Sequence, residues 1–283
     1  MSIYKPSVLK EFLRFSHIHP KKALSQNFLI DGNIVRKIID AAQIQVGDVV
    51  LEIGPGPGAL TETLLAKGAI VTAIEKDLVF AEQLYRLKDL GNLTIQREDF
   101  LLFDLEKFLD SKENKIKVVA NLPYHITTPI LLTLLPHYDK IDSLTIMVQK
   151  EYADRMVAHS KTSYYSHLSL LVSFFCQAKL TFTINPSCFF PKPKIRSAIV
   201  QCRLNPPPLN KDIDAFFFLT RSAFQQKRKM LRSSLKSLAS RELIERVLQR
   251  MHLPITARPE ELELQEFISL FKQIKTEYLP KKN

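Results

Sequence analysis

Short apolar runs alternate with helically spaced stretches along most of this chain. Val49-Val50-Leu51-Glu52-Ile53 is rich in β-branched side chains and reads as a buried strand. A loop, Gly54 to Gly58, follows it. Leu60, Leu64 and Leu65 then recur at helical spacing, with Thr61 and Glu62 in the first turn. Ala69–Ile74 predicts a second strand, Leu93–Gln96 a third, Ile116–Ala120 a fourth and Ser143–Val148 a fifth. Ahead of them Ile34–Ala42 has helical periodicity. Helices are also predicted over Gln149–Ala158 and over Tyr164–Phe175, the latter with Tyr164, Tyr165 and His167 on its early turns. Leu180–Ile184 and Ala198–Leu204 predict a closing strand pair. Strands that alternate with helices imply an α/β fold around a mainly parallel sheet.

The pattern changes after Pro206-Pro207-Pro208, a stiff linker. Beyond it the apolar positions are all helically spaced: Leu235/Leu238, Leu243/Val247 and Phe267/Leu270/Phe271. The division this implies is an α/β domain over residues 1–204, with an N-terminal arm and first helix up to residue 46. A linker over 205–210 and a helical domain over 211–283 follow. No internal repeat is visible.

Three of the seven glycines fall within Gly54-Pro55-Gly56-Pro57-Gly58. Glycine there lets backbone approach a ligand and permits positive φ. The spacing is not the Gly-x-Gly-x-x-Gly of a dinucleotide fold. Glu52, just before the loop, suits a ligand with an amino group. Glu75, at the tip of the second strand, can accept from both hydroxyls of a ribose. Asp99-Phe100, after the third, offers a carboxylate for an adenine amine beside an aromatic face. After the fourth strand stands Asn121-Leu122-Pro123-Tyr124. The exocyclic amine of a nucleobase is a poor nucleophile, because its lone pair is delocalised into the ring. The Asn121 side-chain oxygen and the Leu122 carbonyl can accept its two hydrogens and return density to nitrogen. Tyr124 can stack a base extruded from its helix.

With these motifs in place, the sequence resembles the ribosomal RNA adenine dimethylases of the KsgA/Dim1 type. The resemblance runs from Lys22-Ala23-Leu24-Ser25-Gln26-Asn27-Phe28-Leu29, like the family's Gln-Asn-Phe-Leu motif, through the motifs above. It continues through Phe189-Phe190-Pro191-Lys192-Pro193-Lys194-Ile195-Arg196-Ser197-Ala198 to Phe224-Gln225-Gln226-Lys227-Arg228-Lys229-Met230-Leu231. It implies a Rossmann-like methyltransferase sheet of seven strands, one of them antiparallel, and S-adenosyl-L-methionine as cofactor. Asn27 and Leu29 would cover the cofactor. Gly54 and Gly56 would meet its methionine part, Glu75 its ribose and Asp99 its adenine. Asn121 would lie between cofactor and substrate, with Tyr124 and Phe189 as aromatic walls for the flipped adenine and Phe190 ranked after Phe189. The family acts on two adjacent adenosines in a hairpin near the 3′ end of small-subunit (16S) rRNA, adding two methyls to each. A large-subunit rRNA methylase of the antibiotic-resistance type and a noncatalytic RNA-binding assembly or transcription factor are the alternatives. Glycine spacing disfavours a nicotinamide-dependent dehydrogenase.

Charge points the same way. The 283-residue chain carries a net +11, which favours a polyanionic partner. Between Arg221 and Arg250 stand nine Lys/Arg and two Glu. Read as helical, that stretch is a footprint for phosphates, with Lys227, Arg228, Lys229 and Arg232 as its RNA-binding residues. The 30S particle is the expected partner. Cys176, Cys188 and Cys202 have no Cys-x-x-Cys spacing and read as buried, reduced thiols of a cytoplasmic protein. His17-Ile18-His19 lacks further ligands, and His125 reads as a loop histidine, so no metal is expected. No signal peptide or transmembrane run is visible, and a monomer is expected.

Overall fold

The computed structural model describes residues 2–16, 20, 26–123 and 126–278. The chain forms two compact units. Met1–Ala153 with Cys176–Pro206 make the first, and Asp154–Phe175 with Pro207–Asn283 the second.

The first unit opens with α1 (Pro6–Phe15), a helix in what the sequence suggested was a simple arm. Pro6 sits at its first position, where its missing N–H costs nothing. Leu9 and Leu13, one turn apart, are buried. After a two-residue strand β1 (Phe28–Leu29) comes α2 (Gly32–Ala41), whose N-cap Asp31 accepts from the N–H groups of Asn33 and Ile34.

The chain then winds through β2 (Val49–Ile53), α3 (Ala59–Ala66), β3 (Ile70–Ile74), α4 (Leu78–Gln83), β4 (Leu93–Gln96), α5 (Leu105–Asp110), β5 (Ile116–Asn121), α6 (Thr127–Leu134) and β6 (Ile141–Gln149). Within α7 (Lys150–Met156), after Ala153, the chain leaves this unit. It returns with β7 (Cys176–Ile184), β8 (Phe189–Phe190) and β9 (Ser197–Leu204). Seven strands form one sheet in the order β4-β3-β2-β5-β6-β9-β7. All neighbours are parallel except where β9 runs antiparallel between β6 and β7. Val50, Leu51, Val71, Val118, Val119 and Ile146 are fully buried, as expected of central strands covered on both faces.

Parallel register sets the site. Ile53 stands opposite both Ile74 and Ala120, and Ile74 opposite Gln96. The segments following β2, β3, β4 and β5 therefore emerge side by side along one edge. A separate pair, β1 with β8, matches Phe28 to Phe190 and Leu29 to Phe189.

The second unit is helical: α8 (His167–Phe175), α9 (Ile213–Gln225), α10 (Leu231–Ser234), α11 (Arg241–Arg250) and α12 (Leu264–Tyr278). Two expectations are corrected here. Residues 154–175 were assigned to the α/β domain, but they pack with the C-terminal helices. Phe174 stacks on Phe216 with ring centroids 5.3 Å apart, and the Tyr165 hydroxyl donates to the Leu262 carbonyl at 2.9 Å. The aromatic contacts, 42 residues apart in sequence, outweigh chain continuity. The helix predicted from Tyr164 begins only at His167, because the Ser169 hydroxyl takes the Ser166 N–H at 3.0 Å and caps the chain there.

Candidate functional site

The cleft lies at the carboxyl edge of the sheet, where open α/β folds place their ligands. Its floor is the loop between β2 and α3. Gly54, Gly56 and Gly58 have φ of +67°, +54° and +89°. At Gly56 an added Cβ would come within 3.3 Å of the Phe28 ring; at Gly58 it would meet Leu87 at 2.7 Å. Only glycine allows both the left-handed backbone and this packing.

Two polar contacts fix the loop from outside. Glu75 accepts from the Gly56 N–H at 2.9 Å and, with its other oxygen, from the Asp77 N–H at 2.8 Å. Each oxygen keeps a second lone pair for a ligand hydroxyl. Burial pushes the Glu75 carboxyl up, and the Asp77 and Gly56 N–H groups oppose that shift. On the far side Arg86 donates to the Pro57 carbonyl and, at 2.6 Å, to that of Gln83. Its guanidinium also lies 4.9 Å from the centre of the Phe12 ring of α1. Nothing in the sequence pointed to Arg86, because its partner is 29 residues away.

Glu52 lies beneath the loop and is 1% exposed. Neither of its carboxylate oxygens nor the Thr61 hydroxyl facing it makes a hydrogen bond of normal geometry among the described residues. Burial pushes the Glu52 carboxyl up to about 8, and the Thr61 hydroxyl pulls the other way. A buried acid without a donor is costly, and a cationic amine would relieve it.

Asp99 has the opposite environment. Its carboxylate pairs with Lys76 at 2.7 Å and accepts from the Leu101 N–H at 3.0 Å. The Lys76 hydrogen bond, more than any other influence, holds it below the usual range. It is therefore an ionised acceptor at neutral pH. Asn121, at the end of β5, donates its Nδ2 to the Asn27 carbonyl at 3.2 Å, and its Oδ1 accepts from none of the described residues.

All seven residues expected around a cofactor, Asn27, Leu29, Gly54, Gly56, Glu75, Asp99 and Asn121, line this cleft. A buried orphan acid, a loop that excludes any Cβ, a carboxylate with spare lone pairs and an ionised acceptor fit an amino acid joined to an adenosine.

The substrate side is less complete. Tyr124 and His125 lie outside the described residues, as do His17 to His19 and Lys22 to Ser25. The Leu122 side chain is buried, so only its backbone can serve. Phe189 does not stand open as an aromatic wall. It is 3% exposed, packs in the core beside Phe28 and Leu29, and is not part of the cleft lining. Strand pairing with β1 turns it inward, and Phe190, on the opposite side of the strand, remains half-buried.

The expected RNA-binding cluster also differs from its helical reading. Lys227, Arg228 and Lys229 lie in a turn between α9 and α10. Lys227 pairs with Glu260 at 3.5 Å and Arg232 with Glu245 at 2.6 Å. Arg241 shares Glu245, while Arg246 and Arg250 share Glu277. Of the four named residues, Arg228 and Lys229 are exposed and free of ion pairs among the described residues. Cys176 and Cys202 are buried, but Cys188 is half-buried with Sγ 3.7 Å from Asp31. Among the described residues no three His, Cys, Asp or Glu side chains gather as a metal set, and no helix is long and apolar enough to cross a membrane.

A mainly parallel sheet with one antiparallel strand, carrying this loop and these acids, defines a Rossmann-like S-adenosylmethionine-dependent methyltransferase. A dimethyladenosine transferase from Plasmodium falciparum superposes with a TM-score of 0.77 at 27% identity, covering 89% of this chain and 98% of that one. The 23S rRNA methyltransferase ErmE superposes with a TM-score of 0.68 at 23% identity, over 88% of this chain and 100% of that one. That second likeness is one of fold alone.

The chain belongs to the ribosomal RNA adenine dimethylase family, whose model matches residues 18–276. Ribosomal RNA small subunit methyltransferase A of Protochlamydia amoebophila is 48% identical over 97% of this chain and 98% of its own length. The protein of that name from Chlamydia muridarum is 43% identical over 94% and 96%.

Proposed function

We propose that this chain dimethylates the N6 amines of two adjacent adenosines in the 3′-terminal hairpin of small-subunit (16S) rRNA. It draws all four methyls from S-adenosyl-L-methionine, one per transfer, and so contributes to small-subunit assembly. The observation that carries this reading is the convergence of the Gly54–Gly58 loop, Glu75, Asp99 and Asn121 at four adjacent strand ends.

In this reading the cofactor brings an electrophilic sulfonium methyl and leaves as a neutral thioether. The protein's part is placement. Glu52 and the glycine loop hold the amino-acid end, Glu75 takes the ribose hydroxyls, and Asp99 takes the adenine amine. Asn121 Oδ1 and the Leu122 carbonyl accept the two hydrogens of the target N6, which keeps its lone pair aimed at the methyl. With the cofactor held there, the N6 lone pair would take up the sulfonium methyl and the S–C electron pair would remain on sulfur. One N6 proton passes to water. Tyr124 stacks the flipped base. Phe189 serves as second wall only if it leaves its buried seat, whereas Phe190 already offers a face. The enzyme works in the cytoplasm as a monomer on the 30S particle, without a metal.

The test supplies labelled S-adenosylmethionine with unmethylated small subunits, or with large subunits, to the wild type and to Asn121→Ala. We expect dimethyladenosine at two neighbouring positions of small-subunit rRNA with the wild type. Asn121→Ala should lose at least a hundredfold in rate, the scale of one lost transition-state acceptor, and still bind cofactor. Label in large-subunit rRNA would move the enzyme to that substrate; unchanged turnover in the variant would remove Asn121 from the chemistry.

A further inference from the structure

The basic residues of the first unit have a feature that charge counting along the sequence does not show. In the segment after β8, Lys192, Lys194 and Arg196 are exposed and have no ion-pair partner among the described residues. Lys10 of α1 is exposed, has no ion-pair partner among the described residues, and holds Nζ 6.0 Å from the Phe190 ring centre. From Asn185 to Arg196 the sequence contains no acid. Asp31, beside Cys188 at the start of the segment, accepts from the N–H groups of Asn33 and Ile34; Glu151 follows Lys150 at its other end.

The fold places these cations beside the cleft. β8 pairs with β1, whose Phe28 and Leu29 line the cleft. At the other end of the segment, Ser197 stands opposite Gln149, and the Lys150 N–H donates to the Arg196 carbonyl at 3.0 Å. Gln149 is only two residues beyond Met147, the partner of Asn121 across the sheet. The segment thus spans from the β1 wall of the cleft to the carboxyl end of β6, next to the reacting position.

We propose that Lys10, Lys192, Lys194 and Arg196 form a phosphate-docking rim that holds the sugar–phosphate backbone of the RNA strand flanking the target adenine. The proposal rests on the function proposed above. The occupant is a looped, single-stranded stretch of RNA. Four exposed cations without ion pairs among the described residues, three of them within five positions, suit a polyanion, and a flipped base is helped where the strand around it is held. The ion-paired arginines of α11 gain less from a phosphate, because each must first give up a carboxylate.

The test is the variant K192Q/K194Q/R196Q, compared with wild type and with K179Q/R203Q. The latter pair are exposed cations without ion pairs among the described residues, level with the amino-terminal half of β6. Binding to a 3′-terminal hairpin RNA is measured across salt concentrations, together with KM and kcat on small subunits and cofactor affinity. We expect the triple variant to raise KM at least tenfold, with kcat and cofactor affinity kept. Its plot of log affinity against log salt should be shallower by about 2, as three lost single-strand phosphate contacts require. An unchanged slope overturns the rim, and so does an equal loss in K179Q/R203Q, which would make the effect one of net charge. The binding slope reads the rim even if wild type fails to label small subunits, a result that would instead overturn the proposed function.

Discussion

At the residue scale, Glu52 carries the sharpest consequence. Its carboxyl releases a proton near 4.5 in an ordinary setting and near 8 in the fold. Between these values the unfolded chain ionises while the folded chain does not. Glu52 therefore costs stability progressively as pH rises from about 4.5 to about 8, and the cost is constant above that. We expect Glu52→Gln, without cofactor, to be more stable than wild type at pH 8 by on the order of a few kcal/mol. The two should converge toward pH 5. Urea unfolding of both proteins across this range checks it, since other groups cancel in the difference; parallel pH dependence would mean that Glu52 is solvated. Asp99 behaves oppositely, because Lys76 keeps it charged. The two acids suit different ends of one ligand for that reason.

The β2–α3 loop sets the element scale. Its shape depends on positive φ, on Phe28 packing over Gly56, and on the grips of Glu75 and Arg86. We expect Gly56→Ala to weaken cofactor binding five- to thirtyfold, from about 1–2 kcal/mol of left-handed strain. The ring shift adds to it. Titration calorimetry reads this directly, and unaltered affinity would show that the loop is free to rearrange. The loop was legible in the sequence because glycines are scarce in this chain and three cluster there. The helix α1 was not, although Pro6 and the Leu9/Leu13 spacing mark it in retrospect. Its amphipathic face is only about two turns long and is stabilised by packing, not by propensity.

At the scale of the molecule, the chain makes two units by leaving the first after Ala153 and returning at Cys176. Basic charge free of ion pairs is distributed unevenly among the described residues of the second unit. Neutralising Arg228 and Lys229 should weaken RNA binding and flatten its salt dependence by about 1 to 2. Substituting the paired Lys227 and Arg232 should cost stability more than slope. Salt titrations of both double variants with thermal melts distinguish them. Equal slopes would mean that the ion pairs open on binding.

The sequence by itself determined the strands of the parallel sheet, the seven residues that line the cleft and the family. Those features are local: apolar runs, a glycine cluster, and acids at strand ends whose register follows from parallel pairing. Tertiary structure alone decided what depends on partners distant in the chain. It placed residues 154–175 with the C-terminal helices through the Phe174–Phe216 stack and the Tyr165–Leu262 bond. It turned Phe189 inward through β1 and set Arg86 on Pro57. It also separated the free cations from those already neutralised. Periodicity reports which side of an element is apolar; it carries no record of which other element will cover that side, or which carboxylate will reach a given arginine.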